Sequence, residues 1–473
     1  MYKLKDIPLH YQIAIIYTLI LFLDRIDLTI VNVAIPTLSK LFNIDIALTD
    51  WLSTSFLIGL SISIGISSWL GESYGYKKIF ISSIFGFAFF SLACSFSSTF
   101  YQFVFSRFLQ GLCGGIIIPT GNAILYMSCE KNDYAKVTNF AFLPTLLAPA
   151  IAPYLGGIIM KYYSYQAIFF INLPICLIIG ILGWIIIKEQ HKFEKEKLDF
   201  LGFVVSSFTY IFFFTALSYI SKTNFIYASY LMVVSLLLGY ALIKIEKNKE
   251  HPLINFKYFK NDFFLKATLI QLFFQMSHFG SFFIIGLYLQ IGLGFTPVQA
   301  GLIIAMQALG AIIVTIPSKH IFYKKGAIFP IAGGLIGISI ITPLILLISS
   351  NSQIIPACII MLARGLFSGW VGTPLHTISM FDSNISKKDI GRIGSMFNIA
   401  RQLSISLGVG ISAVLIGVTN GFYKFNYTNQ VLGYCNSVKL FCIGILSVSI
   451  FCLIGAYFAF KLNNQKIIQV LIR

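Results

Sequence analysis

The sequence predicts an all-α polytopic membrane protein, and three observations carry that reading. The chain of 473 residues is 57% hydrophobic and only 11% charged, whereas soluble domains carry about 25% charged residues. Its mean hydropathy is +0.84, more apolar surface than a soluble core absorbs. Its apolar residues fall in runs close to the roughly 20 that a helix needs to cross a bilayer, and in lipid a helix satisfies its own backbone.

Apolar segments at about 10–36, 51–70, 78–98, 101–127, 138–160 and 167–187 form a first group of six. Those at 201–220 and 225–244 form a pair, and those at 264–291, 297–317, 327–349, 354–379, 391–417 and 438–460 a second group of six. The expectation is therefore fourteen transmembrane helices: a six-helix bundle over 1–187, charged linkers with two extra central helices over 188–262, and a second six-helix bundle over 263–473.

The net charge of +17 would suggest nucleic acid in a soluble protein. Here it follows the loops. Alternate loops carry Lys77 and Lys78, Lys131 and Lys136, Lys188 through Lys197, Lys244 through Lys260, Lys319 through Lys325, and Lys387, Lys388 and Arg392. The opposite loops carry little beyond Lys40, Lys161, Lys222 and Lys424. That asymmetry is the positive-inside bias, and it places both termini in the cytoplasm. Lys3 and Lys5 precede a run that is too long and too charged for a cleaved signal, so it reads as an uncleaved first span. The eight cysteines form no CxxC and have no His at metal-ligand spacing, so they read as packing residues, and neither metal nor cofactor is expected.

Charges inside the spans point to function. Asp24, Arg25 and Asp27 lie in the first apolar segment, where each charge costs at least ~2.5–3.5 kcal/mol at mid-bilayer. Asp24 and Asp27 are three residues apart and share a helix face, so each disfavours ionisation of the other, while Arg25 opposes that effect. Such a site suits proton coupling and attraction of a cationic substrate; a structural Asp–Arg pair is the plainer alternative. Arg107, with Gln110 one turn on, either modulates those carboxylates or reaches an interface. Gly111 and Gly115 form a small-xxx-small pair for close helix packing. Pro149, Pro153, Gly156 and Gly157 bend or tighten the fifth segment.

The run Ser106–Gly111 is echoed by Ala363–Gly369, each with an Arg followed by small residues, as in a transporter built from repeats. Arg364 and Arg401 have no carboxylate in the spans around them; they bind an anionic group or reach an interface. His278 and His376 read as hydrogen-bonded packing residues. The 46 Phe serve lipid contact and an aromatic cavity in proportions that sequence alone does not divide.

Several motifs in order along the chain resemble the major facilitator superfamily, within it the fourteen-helix drug:proton antiporters. They are Asp27-Leu28-Thr29-Ile30-Val31-Asn32-Val33-Ala34-Ile35-Pro36, Arg107 through Gly115 with Pro119-Thr120, Ala148 through Gly157, Phe169 through Pro174, Tyr288-Leu289-Gln290 with Ala300-Gly301, and Gly394 through Asn398. One loop departs from the pattern. Where the family reads Gly-x-Leu-Ala-Asp-Arg-x-Gly-Arg-Lys, this chain has Ser68 through Lys77, which keeps a carboxylate at Glu72 and Gly75 but loses two arginines to Ser73 and Tyr76. In the family the loop is a charge-linked latch on the cytoplasmic side. The resemblance implies a weaker latch here, or one in which Lys77 and Lys78 stand in as point charges.

The resemblance implies a proton-coupled secondary transporter of the inner (plasma) membrane that exports amphipathic, cationic organic compounds, a multidrug efflux protein. Asp27, Asp24, Arg25 and Arg107 would be its proton and substrate site, and the glycines and prolines of the fifth segment a seal against leakage. Its partners would be a small-molecule substrate, protons and the lipid bilayer, with no nucleic acid; an accessory envelope protein is left open. The alternative is a dedicated exporter of an endogenous metabolite or siderophore. An enzyme is not expected, because the six His are scattered, and an ATP-driven pump would need a phosphate-cradling Gly-rich loop that the chain lacks.

Overall fold

In the computed structural model, the apolar segments are helical wherever they fall within the described residues. Those residues are 7–44, 51–130, 162–189, 197–221, 224–247, 256–350, 352–379, 389–423 and 434–464, with isolated positions at 133, 136–137, 140–141, 148, 151, 155–156, 158–159, 249 and 252. The helices are α1 (Leu9–Leu41), α2 (Trp51–Tyr74), α3 (Tyr76–Ser95), α4 (Phe100–Met127), α5 (Gln166–Phe170), α6 (Asn172–Ile186), α7 (Phe200–Ser221) and α8 (Phe225–Lys247). They continue with α9 (Asp262–Leu287), α10 (Pro297–Lys325), α11 (Ile328–Ile341), α12 (Ile354–Ser379), α13 (Asp389–Tyr423) and α14 (Tyr434–Phe460). A π-helical turn, Tyr288–Gly292, prolongs α9, and a 3₁₀ stretch, Thr342–Leu347, prolongs α11. Helices α5 and α6 together make one span, Gln166–Ile186.

Among the described residues, twelve helices are long and apolar enough to cross a membrane. The fourteen expected from sequence are thus not reached. The apolar stretch of α10, Val298–Val314, is shorter than a span, and the segment 138–160 lies largely outside the described residues.

The chain forms two units. The first comprises 1–218, 225–260 and 384–399; the second comprises 219–224, 261–383 and 400–473. Helix α13 passes from one to the other between Ile399 and Ala400.

In the first unit the closest helix pair is α2 with α4, and in the second it is α10 with α12. Both pairs are clasped backbone to backbone. A Cβ on Gly111 would lie 2.2 Å from the Phe56 carbonyl oxygen, one on Gly115 2.2 Å from that of Leu60, and one on Gly59 2.2 Å from that of Phe108. The second unit repeats the arrangement: Gly365 meets the Gln307 carbonyl at 2.1 Å, Gly369 that of Ala311 at 2.5 Å, and Gly310 that of Leu362 at 2.1 Å. Without a solvent-driven hydrophobic effect in lipid, this close approach and the packing it permits hold the helices together. Between α2 and α3, Gly75 turns the chain at φ 100°, a left-handed conformation that side chains with a Cβ resist.

Apolar side chains cover both the inside and the outside. Ile26, Ile30, Leu52, Phe103 and Phe169 pack in the first unit, and Tyr288, Leu289, Met361 and Phe441 in the second. On α8, Ile226, Tyr230, Leu236 and Leu237 are exposed, as expected of a helix that lipid surrounds. The feet of α7 and α8 are tied by charge. Lys249 donates to Asp199, which also accepts from the Gly202 N–H at 2.8 Å. Burial pushes the Asp199 carboxyl up, but the Lys249 ammonium and the Gly202 N–H outweigh it and hold it below its ordinary value.

Two outcomes follow. Gly111→Val, which drives a methyl into the α2 backbone, should destabilise the protein in detergent by about 1–3 kcal/mol or more. Gly114→Ala should be tolerated, because its new carbon meets only Phe87 and Phe56 at ordinary contact distance, 3.4 and 3.5 Å; thermal melts of the two variants check this. Because the Asp199 carboxyl is depressed in the fold, its contribution is present above the ordinary carboxylate pKa and disappears as pH falls through the lower folded value. Amide exchange at Gly202 should therefore accelerate on acidification below that range and, in Lys249→Ala, already at higher pH.

Candidate functional site

The polar interior of the first unit is built around Asp27. Its carboxylate is fully buried and meets donors only. Arg107 Nη1 reaches Oδ2 at 2.8 Å, while Gln110 Nε2 and Asn172 Nδ2 reach Oδ1 at 3.2 and 2.8 Å. Four helices supply the shell. Gln110 follows Arg107 by one turn of α4, and its Oε1 accepts from Arg107 Nη1 at 2.7 Å. Its amide nitrogen is therefore the atom that must face Asp27. Asn172 opens α6 and also donates to Ser91 Oγ of α3 at 3.0 Å; Ser91 in turn donates to the Phe169 carbonyl at 3.0 Å. Arg107 Nε donates to the Leu52 carbonyl at the start of α2, at 3.3 Å. The guanidinium lies over the Phe56 ring, 4.3 Å from its centroid, with Phe169 at 5.8 Å.

This arrangement has a chemical consequence. Three N–H groups occupy the carboxylate, one on Oδ2 and two on Oδ1. Its negative charge is what Arg107 pairs with. Neutralising Asp27 therefore leaves a buried cation without its countercharge. Breaking a buried pair in that way costs about 3–5 kcal/mol.

The second unit holds a related cluster with different charge. Arg364, fully buried in α12, donates through Nε to Thr342 Oγ1 at 3.0 Å, and through its two other nitrogens to Gln307 Oε1 and Ser281 Oγ. Since Gln307 gives its oxygen to Arg364, its nitrogen faces His278 Nδ1, at 3.4 Å. That nitrogen must then accept, so the ring proton sits on Nε2. The glycine contacts set the correspondence between the units: Gly111 matches Gly365, Gly115 matches Gly369, and Phe56 matches Gln307. On that register Arg364 stands where Gln110 stands, and it donates to Ser281 of α9 as Gln110 donates to Asp27 of α1. The sequence echo aligned Arg107 with Arg364; the helix contacts move the match by three residues.

Of the site residues expected from sequence, the structure brings together Asp27, Arg107 and Gln110. Asp24, one turn earlier, is buried but is not a partner of Asp27, and Arg25 is half-buried. Gly111 and Gly115 serve the α2–α4 clasp. Lys77 does not take the latch role: it donates to the Trp184 carbonyl at the end of α6, at 2.7 Å, and Lys78 is exposed. Glu72 instead accepts a forked contact from Arg392, at 2.6 Å from Nη2 and 3.1 Å from Nε. Gly156 is buried, whereas Pro149, Pro153 and Gly157 lie outside the described residues. Sequence reasoning missed Ser91, Asn172 and Arg392 as site residues; Asn172 was visible only as part of a motif, and Arg392 only as one loop charge among many. No group of three or more His, Cys, Asp or Glu that could hold a metal occurs among the described residues.

With this geometry in view, comparison with known proteins decides the family. The family model described as Major Facilitator Superfamily matches residues 17–409. The chain belongs to that superfamily. Among its relatives, a protein of Citrobacter koseri named as a multidrug resistance protein, MdtD, is 25% identical over 409 residues, covering 84% of each chain. The MdtD of Escherichia coli O81 is 24% identical over 399 residues, again covering 84% of each. The proton:xylose symporter XylE, solved with 6-bromo-6-deoxy-D-glucose, shares the fold with a TM-score of 0.67 at 12% identity, over 98% of this chain and 99% of that one. The human organic anion transporter MFSD10 gives a TM-score of 0.66 at 11% identity, over 95% and 99%. Members of the superfamily are transporters, and this one is a multi-pass membrane protein.

The ion pair itself is testable as a structural element. Asp27→Asn leaves Arg107 buried without its countercharge and should lower stability by about 3–5 kcal/mol in detergent unfolding. The double variant Asp27→Asn with Arg107→Gln should recover much of that loss, which a pair of unconnected residues would not do.

Proposed function

We propose that the protein is a proton-coupled exporter of amphipathic organic compounds, with Asp27 as the coupling carboxylate. One observation carries the reading: Asp27 and Arg107 are a fully buried pair, so neutralising the carboxylate strips Arg107 of its countercharge. Proton uptake at Asp27 then frees the guanidinium, which remains held by the Leu52 carbonyl and the Phe56 face. The loosened link joins α1 to α4, so protonation changes how those helices engage. Loss of the proton restores the pair. Export follows from alternating exposure of the site to the two sides of the membrane. The names of the MdtD relatives support efflux of drug-like compounds.

The same reading takes α7 and α8 as an extra pair added between two six-helix bundles, for fourteen spans with the segment 138–160 and α10 counted. Both termini then lie in the cytoplasm of a cell whose inner membrane holds the protein, as the loop lysines indicate. Glu72 and Arg392 form the cytoplasmic latch in this scheme, with a guanidinium fork taking over from the arginines that Ser73 and Tyr76 replace. The latch ties the end of α2 to the first turn of α13.

In proteoliposomes with an imposed pH gradient, Asp27→Asn should abolish gradient-driven export of whichever amphipathic dye the parent protein carries, cationic ethidium or anionic 8-anilinonaphthalene-1-sulfonate, while binding is retained, and Asp24→Asn should lower the rate without abolishing coupling. Undiminished proton-driven export by Asp27→Asn would remove Asp27 from the coupling role. Glu72→Gln should change the transport rate and leave the proton-to-dye ratio as it was.

A further inference from the structure

The second unit is almost without acid. Its stretches contain two acidic residues, Asp262 and Asp382. No Asp or Glu occurs between those two positions, and none follows Asp389 anywhere in the chain. Asp262 is already paired with Lys266 at 2.5 Å. Yet the unit buries two guanidiniums within its helices, Arg364 and Arg401.

Arg364 is met by three neutral oxygens. Arg401 is different. It lies in α13, 4% exposed, and makes no hydrogen bond or ion pair among the described residues; its Nε is buried with no acceptor. The neighbouring Gln402, also 4% exposed, has a buried Nε2 in the same condition. At that burial the side chain does not end at an exposed surface.

Its direction follows from helix register. Arg401 precedes Gly408 by seven residues, close to two full turns, and so shares its face. Gly408 packs on α9, where a Cβ would lie 2.3 Å from the Met276 carbonyl oxygen. Two turns before Met276, α9 offers Thr268, whose hydroxyl donates to the Phe264 carbonyl at 2.8 Å. On α13 the Ser404 hydroxyl donates to the Ala400 carbonyl. No carboxylate faces Arg401 from α9 or α13, since neither helix carries one in the second unit beyond Asp262. A buried cation with an unmet Nε, followed in the chain by a second orphan donor, in a unit with two acidic residues, lacks one component: an anion.

We propose that Arg401, assisted by Gln402, binds the anionic group of the transported molecule, so that the cargo is an amphiphile bearing a carboxylate, sulfonate or phosphate. This rests on the export reading and deepens it by naming the cargo's charge; it replaces the cationic substrate suggested by the Asp24–Asp27 segment. Asp27 is committed to Arg107 and does not present a free negative charge. The cargo's anion accepts from the guanidinium Nε–H and the Gln402 amide, and its apolar body occupies the surrounding apolar surface.

The test uses the full-length protein in nanodiscs of neutral phosphatidylcholine. Equilibrium dialysis compares 2-naphthoate, 2-naphthalenesulfonate and 2-naphthyl phosphate with uncharged 2-naphthamide. At least one anion should bind about tenfold more tightly than the amide. Arg401→Gln should reduce that anion to the level of the amide and leave the amide unchanged, and Gln402→Leu should weaken the anion about threefold. Because Arg401 is an uncompensated buried charge, Arg401→Gln without probe should melt higher than the parent protein, and the preferred anion should raise the melting temperature of the parent alone. The proposal is overturned if no anion is preferred to the amide, if Arg401→Gln weakens both equally, or if that variant melts lower, which would mean that Arg401 has a structural partner. Dialysis involves no proton gradient. Absence of gradient-driven export by the parent protein, with the anion preference present, would sink the coupling scheme alone, and gradient-driven export by a parent protein without the anion preference would sink this proposal alone.

Discussion

A guanidinium inside a bilayer has no water to turn to, and the interior of the first unit is arranged by where Arg107 finds its acceptors. It takes a carboxylate from α1, an amide oxygen from its own helix, a carbonyl from the start of α2 and the face of Phe56. These contacts come from three helices, α1, α2 and α4 itself, so the side chain acts as a hub to which all three are referred. Gln110 and Asn172 complete the shell by donating to Asp27, and their amide orientations are dictated by that demand. The glycine clasp between α2 and α4 keeps the hub compact: with larger residues at Gly111 or Gly115, Phe56 and Leu52 would move away from the guanidinium. Packing and electrostatics are in this sense one constraint.

Much of this was legible in the sequence, for a physical reason. Charges are costly in lipid, so an Asp or Arg in an apolar run announces itself, and Asp27 and Arg107 could be singled out without a structure. Gln110 and the two glycines followed from helical spacing. Asn172 and Ser91 did not, because uncharged polar residues are common in spans and their meeting with Asp27 depends on how α3 and α6 pack. Arg392 was hidden among loop charges that read equally well as topology signals. The echo between the halves was detected through its most conspicuous residue, arginine, and was therefore placed three residues out; the register is set by glycines, whose small size makes them easy to overlook. The expected helix count is not reached among the described residues, because most of the segment 138–160 lies outside them and the apolar stretch of α10 found there is short.

The corrected register shows one scaffold carrying two electrostatic designs. In the first unit the polar cluster is nearly neutral, a carboxylate balanced by a guanidinium. In the second, the guanidinium of Arg364 holds the position of the glutamine and donates to a hydroxyl, Ser281, rather than to a carboxylate. Arg364 is then solvated by dipoles alone, a weaker arrangement than a charge pair but one that carries no desolvated anion. Helices with the same clasp can therefore carry different electrostatics, one set holding a balanced ion pair and the other a positive potential among neutral partners.

The two arginine ion pairs of the first unit also differ in when they can exist. Asp27 and Arg107 are 80 residues apart, so they meet as soon as the fourth helix has been inserted. Glu72 and Arg392 are separated by 320 residues. At a synthesis rate of about 5–20 residues per second, that gap is roughly a quarter of a minute to a minute of translation. Throughout that time the end of α2 carries a carboxylate whose eventual partner has not been made, while the hub beneath it is already closed. The chain thus matures from the inside of its first unit outward, and the last strong contact to form there is delivered by a helix from near the other end of the protein.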